Sequence, residues 1–390
     1  MRRRPILTLT CDNTAGSASD AHHALRAALD GGPALLPLAP GLAGARVAAA
    51  LRPEEGEQDL GVALIVPTSG STGTPKGVLL TEAALRASAA ATHERLGGPG
   101  RWLLALPVHH IAGLQVLTRS LLAGFDPCVL DSATGFRPAA FAAAAEPLLA
   151  QGRAYTALVP TQLSRLVAEG GAALAALRGF AAVIVGGAAT PPALLRAARA
   201  AGVAVTTTYG MSETAGGCVY DGLPLTGARV RLAEGGAVEL GGPMLANGYR
   251  LAPDSTAAVF ADGWFRTGDL GRFTGDGRLE ILGRADDVII TGGEKVPPAL
   301  VERALTDCPG VLEACVVGVP DPEWGQAVAA AVVPADWTEP PAPERLREAV
   351  REVAGRACAP RRVLFLPELP LRGPGKIDRR AVGELLAEPD

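Results

Sequence analysis

The segment Thr68-Ser-Gly-Ser-Thr-Gly-Thr-Pro-Lys-Gly77 packs hydroxyls, glycines and one ammonium into a single short stretch. Gly70, Gly73 and Gly77 let backbone amides turn inward, and the hydroxyls of Thr68, Ser69, Ser71 and Thr72, with Thr74 nearby, can wrap an anion. The pattern is not a Walker loop. That loop sets Gly-Lys-Ser/Thr at the opening of a helix, whereas here Lys76 precedes its glycine and Pro75 stiffens the approach. A second segment, Thr208-Tyr-Gly-Met-Ser-Glu-Thr214, offers Tyr209 to stack on a base, Ser212 to touch a phosphate and Glu213 to hold a hard cation such as magnesium. In Phe265-Arg-Thr-Gly-Asp-Leu270, the carboxylate of Asp269 can accept hydrogen bonds from ribose hydroxyls. A fourth segment, Gly283 to Val296, carries Arg284, Asp286 and the Gly292-Gly293 pair, and a fifth, Leu371 to Arg379, presents Lys376 on a glycine-flanked loop. Each segment alone also reads as an ordinary turn or helix cap.

Five such segments in this order resemble the adenylate-forming superfamily of acyl-CoA synthetases, adenylation domains and luciferases, from about Leu64 to the C-terminus. The resemblance implies ATP, Mg2+ and coenzyme A. A loop of this kind clasps the β- and γ-phosphates while a carboxylate attacks the α-phosphate, leaving an acyl-adenylate and pyrophosphate. Lys376 would neutralise charge growing in that transition state, with Lys76 as the loop's own cation. Glu213 and Thr72 would hold Mg2+, Asp269 and Arg284 the ribose, and Gly186, Gly187 and Ala188 with Tyr209, Gly210 and Ser212 the rest of the nucleotide. For a second half-reaction, the resemblance implies that the C-terminal domain swings about a hinge near Asp286, withdrawing Lys376 and bringing Gly292-Gly293 beside a thiol.

In Pro107-Val-His-His-Ile-Ala-Gly113, His110 matches the histidine that lines the acyl pocket of the family. Arg119 follows within a nearly apolar helical stretch, so it lies either on the wet face of the helix or awaits an anion. A basic residue there is similar to the one in 2-succinylbenzoate–CoA ligases of menaquinone biosynthesis, where it suits a second carboxylate. The run Tyr209 to Gly222 resembles short actinobacterial members of that group. The phosphate loop comes early, which implies a shortened first subdomain whose pocket wall is rebuilt or supplied by a partner subunit in a homo-oligomer. No carrier segment follows Lys376, so free coenzyme A is the simpler acceptor. The alternatives are another aryl- or acyl-CoA ligase, a stand-alone adenylating enzyme that loads a separate carrier, and a non-catalytic adenylate-binding protein.

The elements that must position these groups are legible in outline. Short apolar strands (62–67, 102–107, 157–159, 182–185 and 203–207) alternate with helical stretches (83–96, 112–123, 161–168 and 191–201), which predicts an α/β protein with largely buried strands. From Gly222 to Gly283, turns at Gly235-Gly236, Asn247-Gly248, Asp262-Gly263 and Asp276-Gly277 predict hairpins of a small β-barrel-like subdomain. A small mobile α+β C-terminal domain then follows, with helices over 298–307 and 343–358, strands over 312–319 and 328–333, and a last helix after Asp378. The expected domains are 1–284 and 287–390.

A formal charge of -4 supplies no field to draw nucleic acid or an anionic membrane, so the partners are small molecules: a carboxylic acid and coenzyme A. Six cysteines without Cys-x-x-Cys spacing read as small core residues in a reducing compartment, and no apolar run is long enough to span a membrane. A cytoplasmic enzyme is the expectation.

Overall fold

The computed structural model of the chain describes residues 3–57, 59, 61–69, 75–371 and 377–387. The chain divides into two compact units: Met1–Gly187 with Ala198–Arg231 and Glu239–Arg266, and Ala188–Ala197 with Leu232–Val238 and Thr267–Asp390.

The first residues form elements for which the sequence reading made no provision. These are β1 (Ile6–Thr10), α1 (Ala15–Leu29), β2 (Ala34–Leu38) and α2 (Gly41–Leu51), leading to β3 (Val62–Ser69) and β4 (Pro75–Thr81). Their sheet has the order β1-β2-β3-β4, parallel up to β3 and antiparallel between β3 and β4. Helix α1 begins at Thr14, whose hydroxyl accepts a hydrogen bond from the Ser17 amide at 3.2 Å. It buries Ala18, Ala21, Leu25 and Ala28 at the spacing of one helix face. Strand β2 is buried at every position, and Leu36 and Leu38 join Leu51 and Ile65 in one apolar cluster.

In chain order there follow α3 (Glu82–Arg95), β5 (Arg101–Leu104), α4 (Ile111–Ala123), β6 (Cys128–Val129), α5 (Pro138–Leu149), β7 (Ala154–Leu158), α6 (Pro160–Glu169), α7 (Gly171–Gly179), β8 (Ala182–Val185), α8 (Pro192–Ala200), β9 (Val205–Met211), β10 (Gly216–Tyr220) and β11 (Leu223–Pro224). The second sheet has the order β11-β10-β9-β8-β7-β5-β6. Strands β5 to β9 pair in parallel, and β10 returns antiparallel beside β9. Helices and strands expected here stand within a few residues of their observed places. The exception is β9, which continues through Tyr209 to Met211 because β10 supplies a partner strand as far as Gly216 opposite Met211.

The stretch of short strands holds β12 (Arg229–Leu232), β13 (Ala237–Gly241), α9 (Pro253–Val259), β14 (Phe260–Ala261), β15 (Trp264–Phe273) and β16 (Leu279–Arg284), in the order β12-β13-β15-β14 with β16 beside β15. Gly235-Gly236, Asp262-Gly263 and Asp276-Gly277 are hairpin turns. At Asp262 and Gly263 both φ angles are positive, 52° and 75°, as a two-residue hairpin with the right twist demands. Asn247-Gly248 is not a hairpin, contrary to expectation. Its backbone pairs instead with β4, where the Asn247 amide donates to Leu79 O at 2.9 Å, the Leu79 amide to Gly248 O at 2.9 Å and the Arg250 amide to Gly77 O at 2.8 Å.

In the second unit come β17 (Ile289–Thr291), β18 (Glu294–Val296), α10 (Pro298–Thr306), β19 (Val311–Asp321), β20 (Gly325–Pro334), α11 (Pro343–Ala354), β21 (Arg362–Phe365) and α12 (Arg379–Ala387). The sheet order is β18-β17-β20-β19, with β21 parallel to β20. Strand β20 explains the small residues in this sequence. Val328, Ala330 and Val332 face a cluster with Val301 and Leu305 of α10 and Leu346 and Val350 of α11, while Ala329, Ala331 and Val333 face Val382 and Leu386 of α12. All six cysteines are free thiols; five are buried, and burial pushes each of the six above its ordinary pKa, Cys11 to about 11 and Cys218 and Cys315 to about 12. Among the described residues, no helix is long and apolar enough to cross a membrane.

One buried ion pair ties the first unit's opening segment to residues 246–250. Arg250, 4% exposed, donates through Nη1 to Glu57 Oε2 at 2.6 Å, through Nε to Leu51 O at 2.6 Å and through Nη2 to Arg52 O at 2.9 Å. Replacing Glu57 by Ala leaves the guanidinium without its countercharge in a buried place. Urea unfolding of Glu57→Ala should show a loss of about 3 kcal/mol.

Candidate active site

The described ends of the segment Thr68 to Gly77 pair with each other in the antiparallel β3–β4 ladder. Thr68 stands opposite Lys76 and Ser69 opposite Pro75 in the β3–β4 ladder, and the Thr68 hydroxyl reaches Lys76 O at 3.5 Å. Gly70, Ser71, Thr72 and Gly73 lie outside the described residues, as does Lys376. Lys76 therefore belongs to a strand and not to a helix start, so the positive charge at this loop is an ammonium and owes nothing to a helix N-terminus. Its Nζ lies over the ring of Tyr249, 4.9 Å from the centroid. Gly77 is required by close approach: a Cβ there would stand 2.9 Å from Ile65 Cγ2 and 3.0 Å from Leu51.

Glu213 sits in a single turn, Ser212–Thr214, between β9 and β10. The turn is closed by the Met211 amide donating to Thr214 Oγ1 at 3.0 Å and by the Thr214 hydroxyl donating to Gly216 O at 2.8 Å. Its far side is held by the Ala215 carbonyl, which accepts from Ser88 Oγ of α3 at 2.9 Å and from Gln115 Nε2 of α4 at 2.6 Å. The Glu213 carbonyl accepts from the Ala246 amide at 2.9 Å, and its carboxylate accepts from the Tyr249 hydroxyl at 2.8 Å. Burial, and then the charge of Glu213, push the Tyr249 phenol well above its ordinary pKa, so it stays protonated and donates. Ser88, Gln115 and Tyr249 were not singled out from the sequence. The only signal for Tyr249 was an aromatic and a cation directly after Asn247-Gly248, where a turn alone requires neither.

The carboxyl ends of the parallel strands collect the other residues of this unit, at the edge where open α/β sheets bind ligands. After β5, His110 is the exposed N-cap of α4, its ring 4.4 Å from that of His109, which burial holds below the usual histidine range. After β8 comes the Gly186-Gly187 turn, with Gly187 at φ 83° and Gly186 close against Thr208. Tyr209 and Gly210 are the last residues of β9 before Met211, and Ser212 is 8% exposed. A Cβ on Gly210 would stand 2.2 Å from Gly216 O, so only glycine lets β9 and β10 come this close. Ala188 falls in the segment that clusters with the second unit.

Arg119 is not on a wet face of α4. It is 3% exposed, and Gly113 to Ser120 are all buried, because α4 is enclosed along this stretch. Its guanidinium lies 5.2 Å from the Trp102 ring centroid, and Nη2 donates to the Tyr220 hydroxyl at 3.3 Å. Among the described residues no carboxylate pairs with it. Arg119 Nε, Trp102 Nε1, His93 Nε2 and Ser120 Oγ are buried without a hydrogen-bond partner among the described residues. Burial, and then the Arg119 charge, push His93 down to about 4.

In the second unit, Asp269 stands opposite Arg284 in the β15–β16 ladder, Arg284 Nη1 being 3.8 Å from Asp269 Oδ1. Arg284 also forks onto Asp286, Nε to Oδ1 at 2.9 Å and Nη2 to Oδ2 at 3.2 Å, which raises the guanidinium pKa and holds the Asp286 carboxyl below its usual range. Gly292 and Gly293 form the β17–β18 turn, at φ 57° and 85°. A Cβ on Gly292 would collide with the Trp324 ring at 2.3 Å.

A magnesium ion in phosphoryl chemistry takes one or two carboxylates, with substrate phosphates and water completing its shell. Among the described residues no group of three or more His, Cys, Asp or Glu gathers as a cage. Glu213, a half-buried carboxylate anchored at one oxygen, fits an ion that arrives with nucleotide phosphates.

The sequence profile of the AMP-binding enzyme family matches residues 9–263, and that of the AMP-binding enzyme C-terminal domain matches residues 300–376. The chain belongs to the AMP-binding enzymes. It is 49% identical over 332 residues to a probable 2-succinylbenzoate–CoA ligase of Mycobacterium tuberculosis, covering 84% of this chain and 85% of that protein. It is 36% identical over 348 residues to the 2-succinylbenzoate–CoA ligase of Geobacillus kaustophilus, with 83% and 69% covered. Among solved structures it is similar to a variant of the amide bond synthetase McbA from Marinactinospora thermotolerans, with a TM-score of 0.83 at 27% identity over 99% of this chain and 90% of that one.

Burial of His93, with Arg119 beside it, sets an acid sensitivity whose sign follows from linkage. The folded pKa of His93, about 4, lies below the ordinary histidine value of 6.5, so the unfolded chain takes up a proton first as pH falls. Stability is therefore lost between pH 6.5 and about 4, by up to about 3 kcal/mol from this group. His93→Gln should unfold with a shallower pH dependence across that window, read from urea midpoints at its two ends.

Proposed function

We propose that the chain joins 2-succinylbenzoate to coenzyme A through an acyl-adenylate, with ATP as co-substrate and Mg2+ as cofactor, releasing AMP and pyrophosphate. The observation that carries this reading is the 49% identity, over 84% of the chain, to a probable 2-succinylbenzoate–CoA ligase. In the first half-reaction a carboxylate oxygen bonds to the α-phosphorus of ATP as the bond to the β-phosphate bridge breaks. In the second, the thiol sulfur bonds to the acyl carbon, AMP leaves and the thiol proton passes to solvent. Lys76 and the hydroxyls from Thr68 to Thr72 hold the phosphates, Glu213 with Thr72 holds Mg2+, and Tyr209 with Gly186 to Ala188 holds the base. Asp269 and Arg284 take the ribose. Bound Mg2+ withdraws charge from the phosphate oxygens.

Lys376 bridges the acid and the α-phosphate in this reading, and a rotation at Asp286 exchanges it for Gly292-Gly293 when the thiol enters. His110 lines the acid's path. Arg119 receives the aryl carboxylate and leaves the succinyl one for activation; a buried guanidinium with an unpartnered Nε and no carboxylate beside it among the described residues favours this. Six free thiols, five of them buried, agree with a reducing, cytoplasmic setting.

Carboxylate-dependent pyrophosphate exchange over a panel of acids tests the reading. Lys376→Ala should lower exchange at least about a hundredfold. Arg119→Met should raise the KM for 2-succinylbenzoate about tenfold or more while leaving benzoylpropionate, the same acid without its aryl carboxyl, within about twofold. No exchange with any acid, or equal effects on both acids, would defeat the corresponding part.

A further inference from the structure

Residues 246–250 touch both halves of the phosphate machinery of the first unit. Their backbone is laddered to β4, the strand that carries Lys76, and the Ala246 amide holds the Glu213 turn. Arg250 locks the far end to Glu57. Between these anchors stands Tyr249, half-buried, its own amide donating to Thr256 Oγ1 at 2.9 Å and its ring edge-on to Phe260 at 5.9 Å. One face of the ring lies beneath the Lys76 ammonium, and the hydroxyl meets Glu213 Oε1.

We propose that Tyr249 is a positioning residue for adenylation, a single side chain that sets the spacing between the phosphate-loop cation and the metal-binding carboxylate. The proposal rests on the reading in which Glu213 holds the nucleotide's Mg2+. A carboxylate left to itself turns about its last torsion and gathers water. Donation from Tyr249 fixes one oxygen and leaves the other to face a cation, while the ring keeps Lys76 from closing onto Glu213 and cancelling both charges. The phenol touches neither substrate nor reacting atoms; it acts through the two groups that do.

The test uses the full chain with Mn2+ in place of Mg2+, its free concentration read by electron paramagnetic resonance with ATP present. Tyr249→Phe keeps the ring and removes the donor. It should weaken apparent Mn2+ affinity about five- to tenfold and shift the Mg2+ dependence of pyrophosphate exchange alike, with the KM for the acid within about twofold. Tyr249→Leu should in addition raise the KM for ATP about threefold. Glu213→Gln should show the full metal defect, and adding Tyr249→Phe to it should weaken the metal no further, since one acts through the other. If Tyr249→Phe melts early, fluorotyrosine at 249 keeps the shape and should still change Mn2+ affinity. A Mn2+ curve unchanged in Tyr249→Phe, or additive losses in the double variant, would overturn the proposal. Wild-type protein that binds Mn2+ and ATP but exchanges no pyrophosphate with any acid would overturn the functional reading alone, and one that takes up no Mn2+ with ATP would overturn both.

Discussion

The first unit is organised around one constraint: an ammonium and a carboxylate must be kept near one another without neutralising each other. Lys76 and Glu213 come from segments far apart in sequence, a hairpin in one sheet and a turn at the end of another. Brought together without a spacer, opposite charges pair directly and lose their use for an incoming polyanion. The segment that prevents this is neither helix nor strand. It borrows order from β4 through backbone bonds and from the opening segment through a buried ion pair.

Much of the rest supports that arrangement. The Glu213 turn is gripped from behind by Ser88 and Gln115, so α3 and α4 serve as braces as well as covers for the sheet. Gly210 and Gly217 let β9 and β10 approach more closely than side chains allow. In the second unit the same economy appears at Arg284, which shares its guanidinium between Asp269 and Asp286.

The parts that were legible from sequence are those where chemistry and local geometry coincide. Asp262-Gly263 announces a hairpin because two positive φ angles leave few alternatives. The α/β alternation was visible because β7 and β8 are buried along their whole length. The opening βα units escaped although Thr14 caps α1 and Gly31-Gly32 closes it, because Pro37 inside β2 argues locally against a strand. Asn247-Gly248 misled for a different reason: the pair satisfies the local rule for a hairpin, while its partner strand, β4, lies far away in sequence. Arg119 shows the same limit, since a charge in an apolar helix favours water until neighbouring elements enclose it.

The buried thiols carry a consequence for a protein that makes an activated acyl group. An acyl-adenylate is an electrophile that any exposed thiolate would capture. Six cysteines whose burial keeps them in the protonated, weakly nucleophilic form are poor competitors for it. Burial thus sets the chain's own thiols at a disadvantage against a thiol that arrives from outside.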